Sequence, residues 1–420
     1  MKAVCIPCSG SVEVEGLLPV LDHPLFQRLR RCRQLGLNDL VFPGARHSRL
    51  EHALGVLHRA RLAAQVQGMP PEDRRALEVF ALLHDVGHGP FSHQVEPVLP
   101  GDHHQRGAQV IREMEGAIRQ CGADPARLLA MLAGKDPLGE WVSDRNLGAD
   151  KLDYLERDAL HLGFVGTPPL DLLQKNTLRS SGGMLALREK FIEEGKRVQK
   201  FYSYLHQHGY LNKTALTAQR MLQWALQHKL QEEKPAPETV ETIWRMADEE
   251  LVAWLLQDSC PKARKMTRRL LERDLHQTCL CIKPTGYAYV ENVTGKDIAL
   301  VEWPREKLQR LSQALASLPQ AKHIEEKLAQ AANLPQEDLL LAAMPYFQKL
   351  LPRDLRIANG GKQDYWLLEK DLDHRASLES DYLRTFAIRI AVPKRDRKTL
   401  AKDPAPLLRL LDSLAAPGGC

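Results

Sequence analysis

The sequence predicts a mainly α-helical body followed by a smaller α+β appendage. Between Asp22 and about residue 273, apolar residues recur at helical spacing and are punctuated by caps and Pro/Gly breaks. Beyond Leu275 the pattern changes to short β-like runs, CLCIK, YAYVENV and DIALVEW, with a later TFAIRIAV. Helical patterns around 305–333 and 336–351 interrupt these runs. At 420 residues the chain also exceeds what one hydrophobic core usually supports. The reading therefore places one domain at 1–270 and a second at 271–420.

Composition narrows the function classes only a little. Hydrophobic residues make up 44% and charged residues 26%, the balance of an ordinary globular protein. The net charge of +5 fits small polyanions such as nucleotides without demanding nucleic acid. No run of about 18 apolar residues is present and no basic-then-apolar leader, so no membrane partner and a cytoplasmic location are expected. The eight cysteines are scattered, and Cys5-x-x-Cys8 lacks the second pair of a zinc ribbon, which fits reduced thiols.

Taken in order, Val12 and Val14 suggest a short edge strand. DHPLFQRLRRCRQLGL, residues 22–37, reads as one helix capped by Asp22, with Pro24 in its first turn and a solvated basic face. After the turn at Pro43-Gly44, a second helix carries His47, Arg49, Glu51 and His52 at its start. The next helix runs through Val79–Leu83, reaches His84 and Asp85, and then uncoils through GHGP. A polar turn, GDHHQRG, leads into a helix from Ala108. The segment from Asp150 places Asp150, Tyr154 and Asp158 on one polar face at intervals of four, while Leu152, Leu155 and Leu160 are expected to face the core. Residues 186–230 are helical in pattern, Pro235–Glu238 is a break, and KRDRK at 394–398 reads as a solvated turn.

The HD dipeptide at 84–85 is the chemical centre of this pattern. Imidazole and carboxylate at a helix end suit Mn, Fe, Co, Ni or Zn better than an all-oxygen site does. Two ligands cannot hold a metal alone, so others must come from elsewhere in the chain. For each, a plainer reading stands beside the functional one. His52 fits a satisfied core histidine, and Asp150 fits a helix cap with Asp153 three residues on. His103 and His104 fit a surface helix start, and the aromatics near Tyr202 fit a core stripe.

The order RLEH, HDVGHGPFSH and DKLDYLERD resembles the HD-domain phosphohydrolases, in the branch of the animal SAM-and-HD-domain dNTP triphosphohydrolase and the bacterial dGTPases. The likeness covers roughly residues 20–225, through FQRLRRCRQLGL…VFPGARHSRLEHALGV and ADKLDYLERDALHLGF, and extends weakly to the α+β tail. It implies a helical HD-domain core in which His52, His84, Asp85 and Asp150 hold one divalent ion, one of Mn, Fe, Co, Ni, Zn or Mg. It places His88, His93 and His104 near the phosphates, with His104 as proton donor and Glu96 as its orienting carboxylate. Arg49 and Lys151 would neutralise phosphate charge, Tyr154 and Asp158 would face the sugar, and Gln34 and Leu35 would lie beside sugar and base. Lys213 would be a further phosphate contact. The resemblance also implies self-association into a homo-oligomer.

Two positions depart from that branch. Tyr202 stands where the triphosphohydrolases carry a phosphate-gripping arginine, and Asn212 where they carry a histidine. A phenol cannot replace a bidentate guanidinium clamp. The expected activity is thus metal-dependent phosphohydrolysis of nucleotides or deoxynucleotides. The alternatives are a dNTP triphosphohydrolase releasing triphosphate, a metal-dependent single-strand nuclease with nucleic acid as the less favoured partner, and a non-catalytic nucleotide sensor.

Overall fold

The helix Arg49–Val66 is the axis of the first half of the chain. Ser48 caps it by accepting from the Glu51 N–H at 3.2 Å, and its inward residues Ala53, Leu54, Val56, Leu57 and Ala60 are buried. It packs on one side against Pro71–Leu83 and on the other against Ala149–Leu162. In this computed structural model, which describes residues 2–180, 182–257, 259–343, 351–360 and 363–416, two units are resolved by packing density. The first comprises residues 1–205, 240–250 and 352–378; the second comprises 206–239, 251–351 and 379–420.

Helices dominate, as the sequence pattern predicts, and three small sheets accompany them. The first unit holds a hairpin of Ala3–Ile6 with Gly10–Glu13 and a four-stranded sheet. In that sheet Thr177–Arg179, Leu185–Arg188, Arg356–Ala358 and Tyr365–Trp366 lie in this order, with Leu187 opposite Ile357 in the parallel middle pair. The second unit contains a sheet in the order Ala299–Trp303, Gln277–Pro284, Ile388–Val392 and Leu340–Ala343. Its outer pair, Gln277–Pro284 with Ala299–Trp303, is parallel and the other pairings are antiparallel. Leu280, Ile282, Ile388 and Ile390 lie in that unit's core with Leu311, Leu328, Leu407 and Leu411 from its helices.

The division of the chain is interleaved, and residue 270 falls inside the second unit. The cause is the helix Lys213–Glu233, which packs on Pro261–Leu271 and on the strand Leu340–Ala343. The return segment 352–378 instead supplies two strands to the first unit.

Several local expectations change. The single helix predicted over 22–37 is broken into Pro24–Gln27 and 3-10 turns at Arg28–Arg31 and Gly36–Leu40, and His23 rather than Asp22 is the cap. Tertiary hydrogen bonds override the helical pattern: Arg28 donates to the carbonyls of Val86, His88 and Met246. Residues 185–188 form a strand, and YAYVENV holds a 3-10 turn at Ala288–Val290. The helix expected over 336–351 is a 3-10 turn and the strand Leu340–Ala343, with residues 344–350 outside the described ones. KRDRK opens the helix Lys394–Lys402 rather than a turn, and Leu160, expected in the core, lies on the exposed face of Ala149–Leu162.

A buried ion pair fixes the second unit. Arg220 donates from Nε and Nη2 to both oxygens of Glu325, at 2.7 and 2.6 Å, and Glu325 also accepts from the Leu341 N–H at 2.8 Å. Replacing Arg220 with methionine strands the Glu325 charge in the core, and we expect a loss of about 3–5 kcal/mol in chemical denaturation.

Candidate metal centre and histidine cluster

Three helices bring four predicted ligands together. His52 sits in the first turns of Arg49–Val66, His84 closes the end of Pro71–Leu83 with Asp85 after it, and Asp150 lies in the first turn of Ala149–Leu162. Gly148 is the N-cap of that last helix and no side chain caps it, so Asp150 is spared for another use. Its Oδ1 stands 3.1 Å from His52 Nε2 and 3.8 Å from His84 Nε2. Asp85 Oδ2 stands 3.7 Å from His52 Nε2 and 3.6 Å from His84 Nε2.

The two imidazoles are held in ligand-ready tautomers. His84 Nδ1 faces the Ala81 carbonyl at 2.8 Å and must donate to it, which leaves Nε2 as the lone-pair nitrogen. That Nε2 is buried and makes no hydrogen bond. His52 Nδ1 binds Asp153 Oδ2 at 2.8 Å, so its Nε2 faces the carboxylates. His52, His84 and Asp85 each bring one ligand atom within 4.8 Å of the others, and Asp150 faces both imidazoles; this donor set, with an orphaned buried nitrogen in it, fits a divalent transition metal. Without a cation, His52 takes up the balancing charge: burial opposes it, but the hydrogen bonds to Asp150 and Asp153 raise it to about 10.

Asp153 and Arg157 support the centre from behind. Arg157 grips Asp153 through both oxygens, at 2.8 and 2.9 Å; burial would raise the Asp153 carboxyl, but the hydrogen bonds to His52 and Arg157 hold it at about 2. Gly55 makes room for the pair, because a Cβ there would stand 1.9 Å from Asp153 Oδ1 and 2.1 Å from Arg157 Nη2. On the other side, the buried Arg49 guanidinium is paired with Asp85 and donates from Nε to Ser92 Oγ at 2.6 Å. Burial would raise Asp85, but His84, Arg49 and His88 keep its carboxyl well below the usual range.

A second cluster adjoins the first through Asp85. His88 Nε2 stands 3.5 Å from Asp85 Oδ1, and its ring stacks on His103 at 4.0 Å and meets His93 edge-on at 4.5 Å. Burial pushes His88 well below the ordinary histidine value, so its ring is neutral. Glu96 ties the cluster together by accepting from His93 Nδ1 at 3.0 Å and His103 Nδ1 at 2.8 Å. It holds these two histidines, and the one adjacent in sequence, His104, is exposed and only tilts against the His103 ring. The helix starts at His103, not Ala108, because Asp102 caps it by accepting from the Gln105 N–H at 2.8 Å. The Asp102-x-x-Gln105 spacing carried that signal in the sequence. Gly87 lets this helix approach, since a Cβ there would lie 2.1 Å from the His103 carbonyl.

The other predicted residues fall as follows. Lys151 is buried, and its ammonium lies 3.2 Å from the centre of the Tyr202 ring and 5.3 Å from that of Tyr154. Burial pushes Lys151 well below the usual lysine value and pushes Tyr202 up to about 12. Asp158 Oδ1 binds His47 Nε2 at 2.7 Å, a partner the sequence reading did not assign to it. The Gln34 N–H donates to the His47 carbonyl at 3.0 Å, and the Leu35 carbonyl accepts from Gln94 at 3.3 Å. Lys213 belongs to the second unit, where it pairs with Glu291 at 3.5 Å.

One supporting residue had no sequence signal. Phe91 and Ser92 both adopt left-handed backbone angles, φ 53° and 55°, which cost side-chain-bearing residues energy. Asp248, buried, holds this turn by accepting from the Phe91 N–H at 2.6 Å and the Arg33 N–H at 3.0 Å. Burial raises its carboxyl to about 6.

Two outcomes are expected here. Asp153→Asn weakens metal binding by about 10–100-fold in a direct metal titration, because His52 loses its orienting carboxylate. Asp248 binds its proton more tightly folded than unfolded, so its contribution to stability is greatest below pH 4 and declines as pH rises towards 6. That decline is up to about 3 kcal/mol for a shift of about two units. Denaturation profiles over this window should flatten in Asp248→Asn, and an unchanged slope would sink the assignment.

The HD domain family matches residues 49–158, the span that contains all four residues around the candidate metal centre. An uncharacterised protein of Methanocaldococcus jannaschii is 28% identical over 263 residues, covering 61% of this chain and 55% of that protein. The deoxynucleoside triphosphate triphosphohydrolase SAMHD1 of Homo sapiens is 31% identical over 211 residues, covering 39% of this chain and 34% of that protein. The chain thus spans from about a third to a little over half the length of these relatives. A phosphohydrolase structure from Bacteroides thetaiotaomicron superposes with a TM-score of 0.69 at 18% identity, over 94% of this chain and 100% of that one, and so shares the fold. Residues 49–158 thus match the HD domain, and through that region the chain is similar to the SAMHD1 triphosphohydrolases.

Proposed function

We propose that this protein is a metal-dependent phosphohydrolase that cleaves a phosphate ester of a nucleotide or deoxynucleotide. The observation that carries the reading is the contact between two clusters: Asp85 faces His52 and His84 with one oxygen and His88 with the other. A ligand set and an array of neutral and carboxylate-tethered imidazoles thereby share one carboxylate. His52, His84, Asp85 and Asp150 would hold one divalent ion, which supplies charge neutralisation and a more acidic water.

The chain's own groups do the rest. Arg49 offsets the negative charge of Asp85, and buried Lys151 offers a cation that a phosphate would recharge by supplying the missing counter-charge. His103, tethered at Nδ1 by Glu96, keeps Nε2 for protonating the leaving oxygen, and we assign it this role in preference to the exposed His104. Tyr154 and Asp158 would face the sugar, with Gln34 and Leu35 beside it. Cytoplasmic location and self-association complete the proposal; no helix among the described residues is long and apolar enough to cross a membrane.

A second reading, release of triphosphate from a dNTP, is favoured by the name of the human relative. Against it, Tyr202 offers Lys151 a ring face where an arginine would offer a phosphate clamp. A turnover screen separates them. Protein stripped and reloaded with Mn, Mg, Fe, Co, Ni or Zn is offered dNTPs, NTPs, their di- and monophosphates and single-stranded oligonucleotides. Orthophosphate from mono- or diphosphates, abolished by Asp85→Ala, is the expected product; triphosphate plus nucleoside would establish the second reading, and no turnover would leave a sensor. In the active pairing, His103→Ala should retain metal while kcat falls by about 10²–10⁴-fold, and His104→Ala should fall far less.

A further inference from the structure

The second unit carries another group of metal-ligating side chains. His228 and Glu232 lie one turn apart near the end of the helix Lys213–Glu233, and Cys260 is the N-cap residue of Pro261–Leu271. One ligand atom from each lies within 4.8 Å of the others. Cys260 is fully buried, with its thiol against the Ala263 N–H and the Glu232 carboxylate. His228 Nε2 is buried and 3.0 Å from Glu232 Oε1, yet it makes no hydrogen bond. A buried imidazole nitrogen beside a carboxylate and a thiol, without a hydrogen bond of its own, has the environment of a ligand lacking its ion.

The surroundings hold the three groups in place. Trp224 stacks on the His228 ring at 4.8 Å and 13°, which limits its rotation. The neighbouring turn is pinned to the same helix by a separate set of contacts: Lys229 donates to the Trp254 carbonyl at 2.7 Å and to Ser259 Oγ at 3.1 Å, and Ser259 donates to Glu233. Lys229 and Glu233 thus account for the attachment of the 259–260 turn, and His228 and Glu232 are not needed for it. Two nearby lysines have partners of their own, Lys262 with Glu337 at 3.9 Å and Lys322 with Gln231.

We propose that His228, Glu232 and Cys260 form a zinc-type site, independent of the HD centre, that joins the ends of these two helices. The donor set of imidazole, carboxylate and thiolate is that of Zn²⁺ or Co²⁺ and not of Mg²⁺ or Ca²⁺, and three protein ligands leave one position for water. On binding, the S–H proton passes to solvent and the sulfur lone pair is donated to the ion, with no change of oxidation state.

Cobalt distinguishes this site from the HD centre, which contains no sulfur. The full chain is prepared with Asp85→Ala to disable the HD centre, and with Cys5→Ser and Cys8→Ser because both thiols are exposed. Titrated with Co²⁺, it should develop a thiolate-to-cobalt charge-transfer band that Zn²⁺ bleaches. Cys260→Ser and His228→Gln should each abolish the band, and Zn²⁺ should raise Tm in the parent but not in either variant. Absence of the band in the parent, or its persistence in a variant whose circular dichroism is unchanged, overturns the proposal. His228→Gln, on a partly exposed face, decides the matter if Cys260→Ser fails to fold.

Discussion

The hydrogen bond from His52 to Asp153 is the constraint on which the first unit's chemistry depends. It fixes which imidazole nitrogen faces Asp85 and Asp150, and it is itself fixed by the two-point grip of Arg157. Asp153 and Arg157 fit only because Gly55 has no Cβ, so a backbone position on one helix licenses an ion pair on another. Packing and electrostatics are thus one problem here. The helices Arg49–Val66 and Ala149–Leu162 can approach closely enough to share ligands only where the polar groups between them are mutually satisfied.

Charge compensation sets the rest of the arrangement. Three aspartates, Asp85, Asp150 and Asp153, converge on His52, and without a metal their charge is balanced by Arg49, Arg157 and a protonated His52. A divalent ion would relieve His52 of that duty, which is why the site reads as a receptor for a cation and not as a structural salt-bridge network alone. Lys151 has the opposite condition. Buried beside the Tyr202 and Tyr154 rings, it is held well below the usual lysine value by burial, and Asp150 and Asp144 only partly oppose this.

The histidine cluster is held by strain as well as by hydrogen bonds. The left-handed Phe91 and Ser92 turn the chain so that His88 and His93 meet His103, and Asp248 offsets the strain with two backbone hydrogen bonds. The unit division follows the same logic in the rest of the chain. The helix Lys213–Glu233 joins the second unit because its Arg220 and its apolar face are satisfied there by Glu325 and the strand Leu340–Ala343.

Sequence alone determined the helical class and the later mixed region, because helical periodicity is a local property, and a family resemblance carried by ordered motifs singled out His52, His84, Asp85 and Asp150. Reading 22–37 as one helix failed because Arg28 finds carbonyls about 60 and over 200 residues away, which no window along the chain can register. His104 was singled out by the resemblance; with the helix phase set by the cap at Asp102, His103 is the one of the pair that stacks on His88 and meets Glu96, and His104 is exposed. Tertiary structure decided that Asp153 orients His52, that Asp158 pairs with His47, and that Asp248 holds the strained turn. These are contacts between segments roughly 100 to 157 residues apart, and only the packed chain brings their atoms within hydrogen-bonding distance.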